Sequence, residues 1–174
     1  MEGHTNETSG ERLARWITEY GDAIQRTCFL YLGDRELTQD ALQDTFLKAW
    51  RHMSQFEGRD GSNEKTWLMR IAINTCHDYH RSRWFRYIDM RRALEELPDF
   101  QIPSFEEDKM LLLDIAQLPE QQKQVILLRY YHDMSIDEVA QTLGIGIYAV
   151  RYRLKKALDA LKIAWMEADE HEDK

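Results

Sequence analysis

The stretch Met134–Leu161, MSIDEVAQTLGIGIYAVRYRLKKALDAL, decides the fold expected for this chain. It begins with Ser135 and Glu138, whose spacing is that of a capping box at the start of a helix. Gly144 favours the left-handed backbone of a tight helix exit, and Gly146 can cap a second helix. Two short helices joined by a glycine turn are typical of a helix-turn-helix.

Each helix of this stretch is predicted to bury one side. In the first helix the apolar face consists of Ile136, Val139, Ala140 and Leu143. In the second helix the predicted inward positions are Val150, Leu154, Leu158 and Leu161, and the predicted outward positions are Tyr148, Arg151, Tyr152, Lys155 and Lys156.

The second helix is also basic. Between residues 147 and 163 there are five basic residues and one acidic residue, in a protein of formal net charge −8. A basic patch kept within an acidic protein favours contact with a phosphate backbone, so the stretch is predicted to bind DNA. The alternative is an amphipathic helix pair in a bundle, whose cations only solvate the surface.

The composition limits the class of protein. The 174 residues suffice for one large or two small domains, and 43% hydrophobic with 31% charged residues is typical of a globular chain. No apolar run approaches the roughly 20 residues that span a bilayer, and the N-terminus lacks the basic start and apolar core of a signal peptide. We therefore expect a cytoplasmic protein.

Metal and redox chemistry are not indicated. Cys28 and Cys76 fall on apolar faces of predicted helices and are expected to be reduced and buried. Cys76, His77 and His80 do not all converge on one side of a helix, and no second cluster completes a site. We therefore expect no metal and no other cofactor.

The first half of the chain begins with two helical patterns. After a polar segment 1–10, expected to be disordered, apolar residues recur at helical spacing from Glu11 to about Tyr31, where Gly21 can interrupt the helix. The second pattern, about Glu36–Met53, has a broad core stripe: Leu37, Ala41, Leu42, Thr45, Phe46, Ala49, Trp50 and Met53.

The other side of the second helix carries Asp40, Gln43, Asp44, Leu47 and Arg51. A leucine among carboxylates and an amide suits a docking surface with an apolar centre and a polar rim. A charged face with one stray leucine is the alternative.

A glycine-rich polar loop, Gln55–Asn63, precedes a third helix at about Glu64–Phe85. The loop lacks the Gly-Lys-Ser/Thr ending of a phosphate-binding loop, so nucleotide hydrolysis is not expected. One exposed row on the helix is predicted to hold Arg70, Asn74, His77 and Arg81. Between Lys65 and Arg92 seven basic residues stand against two acidic ones, interleaved with aromatic residues. Bases stack on aromatic rings while cations follow the backbone, so this segment is predicted to bind single-stranded DNA.

The predicted fold class is all-α, with two helical domains joined by a flexible linker. We place the domains at residues 11–92 and 107–164, separated by an acidic, proline-containing linker at 93–106. The second domain is expected to begin with helices at about Glu107–Gln117 and from Pro119 to about His132. It ends with the helix-turn-helix.

The order of these motifs resembles that of bacterial RNA polymerase sigma factors of the extracytoplasmic-function (ECF) group. Three segments carry the resemblance: DALQDTFLKAWRHMSQF (Asp40–Phe56), TWLMRIAINTCHDYHRSR (Thr66–Arg83), and LPEQQKQVILLRYY with the helix-turn-helix that follows. The resemblance implies that the first binds the clamp helices of core polymerase. It implies that the second reads and opens the minus-ten promoter element, and that the third reads the minus-thirty-five element.

The resemblance also implies site residues. Core polymerase binding is expected of Asp40, Gln43, Asp44 and Leu47. Minus-ten DNA binding is expected of Gly61, Ser62, Asn63, Lys65, Arg70, Asn74, Asp78 and Arg81, and the loop Gln55–Asn63 stands where the family captures a flipped base. Minus-thirty-five DNA binding is expected of Tyr148, Ala149, Arg151, Tyr152, Arg153 and Lys155.

The sequence departs from the family pattern near the helix-turn-helix. His132-Asp133 stands where an acidic residue followed by glycine is usual, Tyr148-Ala149 replaces the usual Gly-Thr, and Tyr152 replaces a common serine. These changes put the minus-thirty-five sequence in question rather than the identity of the domain.

The implied function is that of an alternative sigma factor. Such a protein binds the beta and beta-prime subunits of core RNA polymerase and promoter DNA, double-stranded upstream and single-stranded at the melted element. The resemblance also implies an anti-sigma protein as inhibitor, no small-molecule substrate and no catalysis.

Two other classes of protein are alternatives. An autonomous helix-turn-helix regulator with an N-terminal sensing or dimerisation domain is the second hypothesis. The basic, aromatic segment Lys65–Tyr87 argues against it, because a sensing domain has no need to meet single-stranded DNA. An enzyme is not indicated, since the sequence offers no nucleophile–base pair at motif spacing.

Overall fold

The computed structural model describes residues 7–57, 63–82 and 106–172, with side chains at 7–56, 63–79 and 111–162. Every regular element in these ranges is a helix, which confirms the predicted all-α class. The chain divides into two compact units, Met1–Ile88 and Asp89–Lys174. The expected end of the third helix at Phe85 and nearly all of the linker lie outside the described residues.

The helices follow one another in a simple order. The first unit holds α1 (Ser9–Leu32), α2 (Arg35–Arg51), α3 (Met53–Glu57) and α4 (Glu64–Ser82). The second unit holds α5 (Glu106–Gln117), α6 (Glu120–Ile126), a π-helical turn (Leu127–Tyr131), α7 (Ile136–Leu143) and α8 (Ile147–Glu172). Within the described residues, no helix is long and apolar enough to cross a membrane.

The start of α1 differs from the expected disorder. Thr8 and Glu11 form a capping box, in which each side chain binds the backbone amide of the other residue. Thr8 therefore fixes the helix start at Ser9, and the expectation of disorder is wrong for residues 8–10. Gly21 does not interrupt α1, which runs without a break to Gly33, where a left-handed backbone (φ 60°) ends it.

The core of the first unit lies between α1, α2 and α4, which pack pairwise against one another. Trp16, Ile24, Leu68 and Met69 are fully or almost fully buried. Burial of each such side chain stabilises the fold by about 1.5–3 kcal/mol. The predicted burial of both cysteines in the core is confirmed, and Cys76 takes an inward position on α4.

An aromatic cluster closes one end of this core. Trp16 on α1, Phe56 on α3 and Trp67 on α4 have ring centroids 5.2–6.1 Å apart in tilted and edge-to-face arrangements. Residues Gln55–Glu57, expected to be loop, belong to α3, because Phe56 is held in this cluster.

Two residues expected in the core are exposed. Trp50 has 43% of its surface exposed, because the inward positions of α2 are Thr38, Ala41, Thr45 and Ala49, at spacings of three and four. Leu158 is also 43% exposed, because Ala157 takes the inward position between Leu154 and Leu161. In both helices a small alanine beside a large apolar residue faces the neighbouring helix, which permits a close approach of the backbones.

The second unit packs α6 and α7 against α8, and α5 against α6 and α8. Pro119 lies at the cap of α6, and the helix then widens into the π-helical turn that buries Leu127 and Leu128. The amide of Met134 donates to the carbonyl of Leu128 at 3.1 Å, which brings the chain round to α7. The last helix, α8, continues through the acidic C-terminal residues to Glu172.

Candidate nucleic-acid interface

The turn between α7 and α8 has the geometry predicted for a helix-turn-helix. The amide of Ser135 donates to Glu138 Oε2 at 2.8 Å, and the amide of Glu138 donates to Ser135 Oγ at 3.2 Å, so the capping box is confirmed. Gly144 has φ 65°, and its amide donates to the carbonyl of Ala140. The amide of Val150 donates to the carbonyl of Gly146 at 3.1 Å, which starts α8.

The first turns of α8 present an aromatic and basic face. Tyr148 is 87% exposed and Tyr152 is 64% exposed, and Arg151 and Lys155 are exposed beside them. Lys156 Nζ lies 5.8 Å from the centroid of the Tyr152 ring, a cation–π contact. We call the exposed row Tyr148, Arg151, Tyr152 and Lys155 the α8 face.

The other two predicted contacts of α8 lie to the side of this face. Ala149 and Arg153 are half-buried. At about 100° per residue, Arg153 lies roughly 160° around the helix axis from Arg151. The structure therefore brings four of the six predicted residues together on the α8 face.

A second exposed row lies on α4. Arg70, Asn74 and Asp78 are exposed at spacings of four, and His77 beside them is half-buried. Lys65 is half-buried and lies about 140° around the helix axis from Arg70, so it is not part of the row. Gly61, Ser62 and the side chain of Arg81 lie outside the described residues.

Asn63 has a structural task that sequence reasoning missed. Its side-chain oxygen accepts a hydrogen bond from the amide of Thr66 at 2.7 Å, which caps the start of α4. Asparagine is among the preferred N-cap residues, and its place directly before the helical pattern was the available signal.

A third exposed row lies on α2. Asp40, Gln43 and Leu47 are exposed, Leu47 by 51% of its surface, and Trp50 extends the row by one turn. We call these four residues the α2 face. Sequence reasoning misses Trp50 as a candidate because it places Trp50 in the core, although the spacing of three from Leu47 also fits the exposed row.

Asp44, also expected on the exposed side of α2, is instead half-buried. It accepts a hydrogen bond from Tyr79 Oη of α4 at 2.8 Å. Burial and this hydrogen bond raise the pKa of Tyr79 to about 12. The phenol is therefore a stable donor to Asp44 at neutral pH.

Comparison with known proteins identifies the family to which the chain belongs. The chain matches the family models of Sigma-70 region 2 over residues 16–86 and of Sigma-70 region 4 over residues 115–162. It is 33% identical over 155 residues to the RNA polymerase sigma-E factor of Streptomyces avermitilis, covering 81% of this chain and 78% of that relative. It is 29% identical over 153 residues to the ECF RNA polymerase sigma factor SigL of Mycobacterium tuberculosis, covering 86% of each. The chain belongs to the ECF sigma factors.

The fold of this ECF sigma factor is shared with solved structures. It matches CnrH, solved in complex with the cytosolic domain of CnrY, with a TM-score of 0.68 and 22% identity over 92% of this chain and 90% of that chain. It matches the sigma factor RpoE of Bartonella quintana, solved in complex with the anti-sigma factor NepR, with a TM-score of 0.68 and 20% identity over 87% of this chain and 95% of that chain.

The matched ranges contain every candidate site residue. The α2 and α4 rows fall within the region 2 match, and the α8 face falls within the region 4 match. Among the described residues, no group of three or more histidine, cysteine, aspartate or glutamate side chains is placed to hold a metal ion.

The departure of this sigma factor from the family pattern at Asp133 is visible in its backbone. Asp133 has φ 54°, the left-handed conformation that favours the glycine usual at this place. Arg129 supports the turn, since its Nη1 donates to the carbonyl of Met134 at 3.0 Å. The turn keeps its shape with aspartate, at a cost in backbone strain.

Proposed function

We propose that this ECF sigma factor binds core RNA polymerase and directs it to a specific set of promoters, where it takes part in opening the minus-ten element. The observation that carries the proposal is the match to both sigma regions, with exposed rows on the helices that those regions use. The chain acts in this reaction through binding energy, and polymerase supplies the catalysis.

Polymerase binding is assigned to the α2 face. Leu47 and Trp50 are large apolar side chains exposed beside Asp40 and Gln43. An apolar centre with a polar rim is the usual anatomy of a protein interface, and aromatic residues often dominate its binding energy. We place Asp44 at the edge of this surface and the beta-prime subunit as its partner.

Minus-ten recognition is assigned to the α4 row. Arg70 and Asn74 are exposed one turn apart, so a cation for the backbone and an amide for base edges point the same way. Unstacking a base costs a few kcal/mol, and contacts made only to the melted strand offset that cost. The loop before α4 is the proposed place for the flipped base.

Minus-thirty-five recognition is assigned to the α8 face. The first turns of a recognition helix enter the major groove, where arginine and lysine bind base edges or phosphates. Tyr148 and Tyr152 add exposed aromatic surface at the same turns. Because they replace smaller residues of the family pattern, we expect the upstream element to have its own sequence.

Domain limits, compartment and inhibitor complete the proposal. We place the region 2 domain at residues 11–92, the linker at 93–106 and the region 4 domain at 107–164, in a cytoplasmic protein.

The structural neighbour RpoE was solved in complex with the anti-sigma factor NepR, which supports an anti-sigma protein as inhibitor here. The autonomous regulator is not favoured, because such a protein has no use for region 2.

Run-off transcription tests the function directly. Purified protein and bacterial core polymerase are incubated with pooled genomic promoter fragments from the source organism, and transcripts are mapped. Discrete transcripts that require the protein support the proposal, and their start sites locate both promoter elements. A folded, inhibitor-free protein that binds DNA yet yields no transcript with any core polymerase would favour the autonomous regulator.

A further inference from the structure

Two polar pairs cross between α2 and α4 in opposite senses. Tyr79 of α4 donates from Oη to Oδ2 of Asp44 on α2 at 2.8 Å. Lys48 of α2 donates from Nζ to Oδ2 of Asp78 on α4 at 3.1 Å. Each of the two proposed site carboxylates, Asp44 for polymerase and Asp78 for DNA, is thus held by a residue of the other helix.

The lysine pair is built with a third residue. Lys48 Nζ also donates to Thr75 Oγ1 at 3.1 Å. The hydroxyl of Thr75 donates in turn to the carbonyl of Ile71 at 2.8 Å, so its oxygen lone pairs are left to accept from the ammonium. Two acceptors one turn apart on α4 therefore fix the position of the Lys48 head group.

Stability alone does not account for the lysine pair. The side chains of Lys48 and Asp78 are 39% and 65% exposed, and exposed ion pairs contribute little to folding. However, Asp78 stands in the α4 row with Arg70 and Asn74, where a bare carboxylate repels phosphates. Lys48 offsets that charge and holds the carboxylate in one orientation.

The pair of Tyr79 and Asp44 lies on the polymerase side of the two helices, as the lysine pair lies on the DNA side. Tyr79 is half-buried on the inner side of α4, away from the row that includes Asn74, so it does not belong to the DNA-facing row. Its hydroxyl fixes the Asp44 carboxylate at the edge of the α2 face. A preorganised polar group loses less entropy when a partner binds.

We propose that Tyr79 and Lys48 are positioning residues, each of which acts on a site residue of the other helix. Tyr79 on α4 orients Asp44 of α2 for polymerase, and Lys48 on α2 orients Asp78 of α4 for the minus-ten element. The proposal rests on the function proposed above. It assigns each residue an effect on the surface of the helix to which it does not belong.

The first experiment compares two tyrosines. Tyr79→Phe removes the hydroxyl and keeps the ring, and it is expected to weaken binding to core polymerase about three- to tenfold. Tyr20→Phe is the matched control, because Tyr20 on α1 is also half-buried, with a pKa raised to about 12 by burial and by a hydrogen bond to Glu19. The control is expected to bind polymerase as the wild type does.

A double-mutant cycle keeps this test specific. In an Asp44→Ala background, Tyr79→Phe should change polymerase affinity by less than about twofold, because the group that Tyr79 orients is gone. An undiminished effect in that background would overturn the role of Tyr79. Thermal unfolding of each variant shows whether a change in affinity follows from a loss of folded protein.

The second experiment measures promoter selectivity of the holoenzyme. The probes are a fragment from which the wild type transcribes and the same fragment with a scrambled minus-ten element. Lys48→Met should lower the affinity ratio about three- to tenfold, and Lys48→Arg should retain most of it. The ratio cancels any uniform loss of electrostatic attraction. Arg35→Met, which removes a cation from an exposed position at the start of the same helix, should leave the ratio unchanged.

The pattern of the two results decides the proposal. The crossed pattern, with Tyr79 affecting polymerase binding and Lys48 affecting minus-ten selectivity, supports it. The uncrossed pattern, with Tyr79 affecting minus-ten selectivity and Lys48 affecting polymerase binding, overturns it. Equal losses in both assays that track the loss of thermal stability overturn it as well. A wild-type protein that neither binds polymerase nor yields transcripts would overturn the proposed function as well, whereas an uncrossed pattern with an active wild type overturns the positioning roles alone.

Discussion

Arg15 on α1 binds Glu64, the first residue of α4, through two parallel hydrogen bonds of 2.7 and 2.8 Å. The hydrogen bonds from Arg15 hold the pKa of the Glu64 carboxyl below its ordinary value of 4.5, against the opposing effect of burial. The pair fastens the start of α4, and with it the proposed DNA-reading row, to α1. Because the Arg15 side chain is 40% exposed, solvent screening limits its contribution to about 1 kcal/mol.

Acid should weaken this pair in a defined pH range. A carboxyl whose pKa is lower in the folded state contributes stability that is present above its unfolded pKa and lost as the pH falls through the folded pKa. Glu64→Gln should therefore reduce the unfolding free energy by about 1 kcal/mol near neutral pH, and the difference should shrink below about pH 4.5. Urea unfolding at a series of pH values measures it. Glu36→Gln, an exposed residue in the first turn of α2, is the control, and an equal pH dependence in both variants would contradict the assignment.

The strained turn at Asp133 predicts a stabilising substitution. Asp133→Gly should raise the unfolding free energy of the second unit by about 1 kcal/mol, because glycine adopts φ 54° without steric cost. Asp133→Ala separates this effect from charge, since it loses the weak 4.0 Å ion pair with Arg129 but keeps the strain. Denaturant unfolding should rank glycine above aspartate and alanine. A gain with alanine as large as that with glycine would locate the cost in the carboxylate instead.

Replacement by alanine should have opposite effects on stability at two glycines of the chain. A methyl group at Gly21 would meet nothing within 4 Å, and alanine is the better helix former, so Gly21→Ala should stabilise by about 0.5–1 kcal/mol. Gly144 has φ 65°, where alanine is strained, so Gly144→Ala should destabilise by about 1–2 kcal/mol. Urea midpoints of the two variants give both signs, and a loss of stability at Gly21 would mean that α1 packs more tightly there than its open surroundings indicate.

Local features of this fold could be predicted from the sequence because they depend on residues three or four apart. The Ser135–Glu138 capping box and the Gly144 exit are of this kind. The capping box of Thr8 and Glu11 has the same signature, but it stands in a polar segment with no apolar pattern to mark a helix start. Periodicity failed at Trp50 and Leu158, which lie at the edge of an apolar stripe, where helical spacing alone does not decide between a large and a small neighbour.

Contacts between helices could not be predicted in the same way. The hydrogen bond between Tyr79 and Asp44 joins residues 35 positions apart, and the bond between Lys48 and Asp78 joins residues 30 apart. Each depends on the rotation of α2 against α4, which follows from the packing of the whole core. The resemblance to sigma factors identified Asp44 and Asp78 as candidates, but only the structure shows their partners.

The exposed apolar residues of α2 should bind polymerase. Leu47→Ser and Trp50→Ser should each weaken affinity for core polymerase by about five- to thirtyfold, because apolar side chains at the centre of an interface contribute about 1–2 kcal/mol or more. Ile17→Ser is the matched control, since Ile17 on α1 is 47% exposed and Leu47 is 51% exposed. Equilibrium binding to labelled core polymerase measures the three. An effect of Ile17→Ser as large as that of Leu47→Ser would show that the loss follows from destabilisation rather than from the α2 face.

The exposure of the two arginines of α8 predicts which of them contacts the upstream promoter element. Arg151 belongs to the exposed α8 face, so Arg151→Ala should weaken holoenzyme binding and lower the salt dependence of that binding by about one unit of slope, as expected for a lost phosphate contact. Arg153 carries the same charge but is half-buried and lies roughly 160° around the axis, so Arg153→Ala should change the slope much less. Binding measured over a range of salt concentrations compares the two arginines within one helix. Equal salt-dependence slopes for the two variants would mean that DNA contacts the side of α8 rather than the row from Tyr148 to Lys155. The recognition surface would then have to be assigned to that side.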